Sequence, residues 1–223
     1  MNKEQWEIIR DDIIKFNRLI HTEEFRKTEK YINLCYDITQ EESDEQSEAF
    51  QEMWKLVNPE DDYPKPSNLY LDGVCDTVVT ATQLIDAITP SQLEWDYIGP
   101  FFEGTKNTDG IKNFFLSLVV DSILAVEFYG VDIVGALSEV NRSNMSKVPT
   151  LQEVQDYYGV CPVLACNAAA EWIEDQLGEG WIVSWEHVKD VDGITRVVFK
   201  DQLGKARKLW CYFEPDLSKY LGV

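Results

Sequence analysis

Three glutamates and two aspartates occupy helical positions where a core would carry hydrocarbon. Over residues 28–57 an apolar stripe runs through Tyr31, Leu34 and Ile38 and resumes at Ala49, Met53 and Leu56. The positions between are Glu41, Glu42 and Glu45. A lone buried carboxylate is costly unless it is paired, protonated or bound to a cation. The next helical segment, Asn68 to Ile88, is apolar almost all round, yet carries Asp72 and Asp76 one turn apart on one face. Like charges at that spacing repel and call for something positive between them. Lys and Arg are sparse in both segments, which favours a metal over an internal ion pair. An all-oxygen set without His or Cys suits Mg²⁺, or Mn²⁺, and not zinc. The competing reading is a solvated acidic face on an acidic protein. Asp121, alone in another apolar helix, reads as a polar helix contact or as a further member of the set.

A second group is basic and amide-bearing. The stripe Ile133, Leu137, Val140 continues into Asn144 and Lys147, with Arg142 between. An amide and an ammonium one turn apart can serve a metal or phosphate oxygen and a second phosphate. A lysine near a helix C-terminus is also ordinary capping chemistry.

These residues need helices to hold them. Apolar periodicity predicts helices over 4–21, 28–57 and 68–88, with a loop at 58–67 and a long connection over 90–109. A buried helix at 110–129 follows, then Gly130 and a helix from Asp132, as N-cap, to about Val148. Thr150 and Glu153 form a capping-box pattern opening a short helix to Tyr158, and Pro162 to Leu177 reads as another helix closed by Gly178. From Trp181 the period drops to two, with Asp192-Gly193 and Gly204 as turns between three alternating runs. The expected fold is therefore mainly α: a helical body over 1–149 and an α+β appendage over 150–223 ending in a small antiparallel meander.

The chain has 223 residues, 44% of them hydrophobic, enough for one sizeable core with a small appendage. Forty acids against 20 bases give a net charge of −20, which repels phosphate backbones and anionic lipid. Nucleic acid and membrane surfaces are therefore not expected partners. A phosphorylated small molecule is compatible, because bound divalent cations invert the local sign. The opening MNKEQWEIIRDD is unlike a signal peptide, and the run Phe114–Tyr129 carries Asp121 and Glu127, so it reads as a core helix and not a membrane span. Five scattered cysteines without zinc spacing suit reduced thiols in a cytoplasm. No P-loop, dinucleotide fingerprint or nucleophile elbow is present, and two histidines leave no His-rich hydrolase site.

Several runs resemble one family. Ile38-Thr-Gln-Glu-Glu-Ser-Asp-Glu45 resembles the EExxE signature of the MazG-like all-α nucleoside triphosphate pyrophosphohydrolases. Leu71-Asp-Gly-Val-Cys-Asp-Thr-Val-Val79 resembles the acidic helix that follows it. Gly130-Val-Asp132 with Glu139-Val-Asn-Arg-Ser-Asn-Met-Ser-Lys147 is similar to the segment ending SNMSK in phage and bacterial members, and Tyr212-Phe-Glu-Pro-Asp-Leu-Ser218 to that subfamily's close. Two departures stand out. The usual ExxD would place an acid at Gly73, where Asp72 is the neighbouring substitute, and 90–128 and 150–188 look like insertions relative to compact members. Whether the Asp76 or the Asp121 helix fills the second acidic position is open, with Asp76 preferred because Asp72 accompanies it.

The resemblance implies a four-helix-bundle core, assembly as a homodimer or homotetramer, and Mg²⁺-dependent cleavage of a nucleoside or deoxynucleoside triphosphate to monophosphate and pyrophosphate. Glu42, Glu45, Asp76 and Asp72 would be metal ligands, Glu41 a base, water-orienting group or ligand, and Lys147, Arg142 and Asn144 phosphate contacts. The alternative is a nucleotide-binding regulator on the same fold with weak turnover, for which Gly73 speaks.

Overall fold

A computed structural model describes residues 1–57, 63–110 and 113–222, so parts of the expected 58–67 loop and of the expected start of the 110–129 helix lie outside the described residues. The chain is mainly helical with one small sheet. In order, the elements are α1 (Lys3–Ile20), α2 (Glu23–Arg26), α3 (Glu29–Lys55), α4 (Asn68–Ile88), α5 (Trp95–Phe102), α6 (Phe114–Phe128), α7 (Ile133–Ser146), α8 (Leu151–Tyr158), α9 (Pro162–Leu177), β1 (Val183–Lys189) and β2 (Thr195–Asp201). Side-chain caps mark the starts of α3 and α4, as the sequence proposed, and that of α6, which begins at Phe114 and not at 110. Thr28 accepts from the Tyr31 N–H, Ser67 from that of Tyr70, and Asn113 from those of Phe115 and Leu116.

The residues divide into two compact units, one of 1–15, 23–141 and 215–223, the other of 16–22 and 142–214. The sequence reading drew a single boundary at 149/150. Helices α1 and α7 each distribute their residues between the units, so hydropathy shows no break where the units change.

In the first unit α4 is the central element, packed against α3 on one side and α6 on another. Leu71, Val74, Cys75, Val78, Ala81 and Ile85 are buried around most of its circumference. Trp6, Ile9 and Ile13 of α1 join this core, and the Trp6 indole donates to the Leu93 carbonyl at 2.8 Å. Residues 90–109, expected as a bare connection, hold α5 between two 3-10 turns, and Ile98, Phe101 and Phe102 enter the same core. Gly99-Pro100 reads as a helix breaker. Here Gly99 instead makes room for the Trp95 ring, which a Cβ would meet at 2.5 Å. Leu217 closes this core, and the Tyr220 carbonyl accepts from the Asp132 N–H at 2.9 Å.

The second unit is a hairpin backed by helices. β1 and β2 pair antiparallel with Val183 opposite Asp201 and Lys189 opposite Thr195, turning at Asp190–Gly193. Val197 and Phe199 pack with Ala165, Cys166, Ala169 and Ile173 of α9 and with Val154 of α8. The third alternating run joins this sheet through one bridge, Lys200 to Ala206, and then turns at Leu209–Tyr212. Trp210 there stacks on Tyr157 with ring centroids 4.0 Å apart.

The capping box of α8 is complete: the Thr150 hydroxyl accepts from the Glu153 N–H at 3.1 Å and the Glu153 carboxylate from the Thr150 N–H at 2.7 Å. Thr150→Ala is expected to lower stability by about 1 kcal/mol. Urea denaturation should show a lower midpoint at unchanged slope.

All five cysteines are free thiols, with Cys35, Cys75 and Cys166 buried and Cys161 exposed. Burial pushes the Cys35 and Cys211 thiols up to about 11. Brief alkylation at pH 8 followed by mass spectrometry should therefore modify Cys161 first, since the thiolate is the reacting form; equal labelling of Cys35 would contradict its burial. Among the described residues, no helix is long and apolar enough to cross a membrane.

Candidate functional site

The acidic residues are organised by one close contact between α3 and α4. A Cβ built on Gly73 would stand 2.9 Å from the Gln46 Cα and 3.2 Å from its backbone nitrogen. On the other side of this contact the rings of Phe50 and Tyr70 meet at 5.6 Å. The helices thus run antiparallel with Gly73 level with Gln46. Glu45 and Asp72 adjoin the contact in sequence, and Glu42 and Asp76 lie one turn beyond it, in the direction away from Phe50 and Tyr70.

This packing moves the buried stripe of α3 by one residue in its middle. The buried side chains are Tyr31, Cys35, Thr39, Ala49 and Met53, with Glu42 and Gln46 half-buried between them. Leu34 and Ile38, which the sequence placed in the stripe, are half-buried, and Leu56 is 79% exposed. The sequence reading of Glu41 and Glu45 as stripe residues is corrected accordingly: both are exposed, and only Glu42 of the three points partly inward. Hydropathy prefers Leu34 and Ile38 to Cys35 and Thr39, whereas the backbone approach at Gly73 selects the face that contains Gln46. Asp72 and Asp76 are both half-buried on α4. The fully buried Cys75 thiol beside them is raised by desolvation first and by the Asp76 and Asp72 carboxylates next.

Gln46 was not singled out from the sequence. Its side-chain amide meets the buried Ser122 hydroxyl of α6 at 3.2 Å and also hydrogen-bonds the Tyr70 phenol. That phenol is raised by burial and by Tyr129, against the Gln46 bond. A polar residue directly after EExxE, on the inward face of α3, was the available signal. Asp121 of α6 is exposed; desolvation raises its carboxyl, a hydrogen bond with Thr108 opposes this, and Asp109 adds to it.

Arg142, Asn144 and Lys147 belong to the second unit. The buried Asn144 carboxamide oxygen accepts from the Lys147 ammonium at 2.6 Å. Lys147 lies 5.6 Å from the Tyr212 ring centroid, and the exposed Arg142 guanidinium 4.4 Å from that of Phe213. The Ser143 hydroxyl donates to the Phe213 carbonyl at 2.7 Å. Two stretches singled out separately in the sequence, 142–147 and 212–214, are therefore laced together.

No protein family, curated protein or solved structure matches this chain.

The donor chemistry of Glu41, Glu42, Glu45, Asp72 and Asp76 is that of a hard-cation site. Among the described residues, no three His, Cys, Asp or Glu side chains are brought together in a metal-holding arrangement. The backbone sets Glu42 and Glu45 of α3 and Asp72 and Asp76 of α4 on the two sides of one helix contact.

Proposed function

We propose that the chain is a Mg²⁺-dependent nucleotide pyrophosphohydrolase, converting a nucleoside or deoxynucleoside triphosphate to monophosphate and pyrophosphate. The observation that carries this reading is the antiparallel α3–α4 contact, with Glu42, Glu45, Asp72 and Asp76 grouped about Gly73 and Gln46. Glu42 and Asp76, with Glu45 and Asp72, would hold the metal. When bound, Mg²⁺ polarises phosphoryl oxygens and lowers the pKa of a coordinated water. The exposed Glu41 carboxylate takes the proton of the attacking water or orients it. Water adds at the α-phosphorus, the bond to the bridging oxygen breaks, and pyrophosphate leaves.

The same resemblance implies that Lys147 and Arg142 would neutralise phosphate charge and that Asn144 would add a hydrogen bond to the phosphates. It further supports a homodimer or homotetramer acting on nucleotide pools in a cytoplasm, that of a bacterial host if the gene is phage-borne. At Gly73, where the resembled family has an acid, a Cβ would meet the Gln46 backbone, which gives the glycine a packing role.

The test is incubation with Mg²⁺ and a panel of NTPs and dNTPs, with products resolved by chromatography. Monophosphate and pyrophosphate in equal amounts are expected. Binding without turnover at enzyme-like concentrations would replace this reading with that of a nucleotide-binding regulator.

A further inference from the structure

The second unit contains a cavity of about 370 Å³ whose wall has a chemistry opposite to that of the whole chain. It is lined by Lys147 at the end of α7, by Lys205, Arg207 and Lys208 after β2, and by an apolar side that includes Trp172 and Leu177 of α9. Four of the chain's 20 Lys and Arg residues meet here, and among the described residues no acid lines the cavity.

The cationic residues have partners that do not themselves line the cavity. Asp201, buried, accepts from the Leu203 and Lys205 N–H groups at 2.8 and 3.0 Å, which fixes the turn that presents Lys205. Its second oxygen accepts from Arg207 Nε at 2.7 Å, and the guanidinium lies 4.9 Å from the Trp181 ring centroid. Lys208 is placed by Glu214 at 3.1 Å and by the Tyr212 ring at 4.1 Å, and Lys147 by Asn144. Cations positioned in this way lose little freedom on receiving an anion, which is the condition for tight charge-assisted binding. The volume falls in the range of small-ligand pockets.

We propose that this cavity binds a phosphorylated small molecule with a flat apolar part, a nucleotide, with its phosphates on Lys205, Arg207 and Lys208 and its base against Trp172. A small ligand is favoured over a nucleic acid strand because a net charge of −20 opposes a long polyanion. The choice of a nucleotide rests on the proposed function; the anion site does not, and it needs neither Mg²⁺ nor the α3–α4 acids.

Calorimetric titration of the full chain in EDTA at low salt, with pyrophosphate, ATP and a single-stranded oligonucleotide in separate runs, tests this. Pyrophosphate and ATP should each saturate one site, with affinity falling as salt rises. Lys205→Ala with Lys208→Ala should weaken both by about tenfold or more, with an unchanged thermal midpoint showing that the variant is folded. Trp172→Ala should weaken ATP and spare pyrophosphate. Absence of saturable binding to the wild-type chain, unaltered binding by the folded double variant, or an oligonucleotide bound more tightly than ATP would each overturn the proposal. Wild-type turnover without binding in EDTA overturns it and leaves the hydrolase reading intact. Binding in EDTA without turnover under Mg²⁺ does the reverse.

Discussion

Gly73→Ala is expected to lower the stability of the first unit by up to about 2 kcal/mol, although alanine is the better helix former. The new methyl would lie 2.9 Å from the Gln46 Cα, and that neighbour is backbone, which cannot swing aside. Overpacking of this kind costs about 1–3 kcal/mol, and the gain in helix propensity returns about 1 kcal/mol. Gly73→Glu should be worse, because it adds a carboxylate at a buried position to the same clash. Urea unfolding followed by far-ultraviolet circular dichroism measures both. A Gly73→Ala protein more stable than the wild type by the full propensity gain of about 1 kcal/mol would mean that α3 and α4 separate without cost, and the close approach would lose its significance.

The largest functional effect should come from Glu42→Gln. Glutamine keeps the shape and removes the charge, so folding should be spared while a candidate metal ligand is lost. Metal assistance contributes several kcal/mol to phosphoryl chemistry, so turnover should fall by about 1000-fold. Glu45→Gln and Asp76→Asn should fall in the same direction. EDTA should abolish the wild-type reaction and added Mg²⁺ or Mn²⁺ restore it. A Glu42→Gln protein that hydrolyses NTPs at the wild-type rate would remove these acids from the site.

Much of the helical layout was legible because its signals are local. Asn68–Ile88 and Pro162–Leu177 have the bounds expected, since Ser67 and Gly178 are caps that can be read one residue at a time. The Thr150–Glu153 box and the Asp192-Gly193 turn were legible for the same reason. What escaped depends on partners distant in sequence. Helix α5 exists although Gly99-Pro100 argues against it, because its aromatics enter a core built by α1, α4 and α6.

The third alternating run contributes one bridge, Lys200 to Ala206, and Trp210 beyond it stacks on Tyr157. The stripe of α3 was misplaced by one residue because periodicity leaves the phase open by about that much, and only the partner helix fixes it. For the candidate site, sequence located the acids and the helices that carry them. It did not reveal that Gly73 and Gln46 bring those helices together, nor the basic cavity, whose residues are spread from Lys147 to Lys208.

The first unit is assembled from three separate stretches of chain, and Leu217 and Tyr220 belong to its last. A ribosome delivers residues 215–223 only after the whole of 142–214 has been made. At about 5–20 residues per second, the unit begun first waits several seconds for its closing segment. During that interval the second unit's main segment has already emerged, while the face that Leu217 will cover is still open. Order of synthesis and order of completion are thus reversed, and nascent chains stalled before residue 215 should be the ones that engage chaperones.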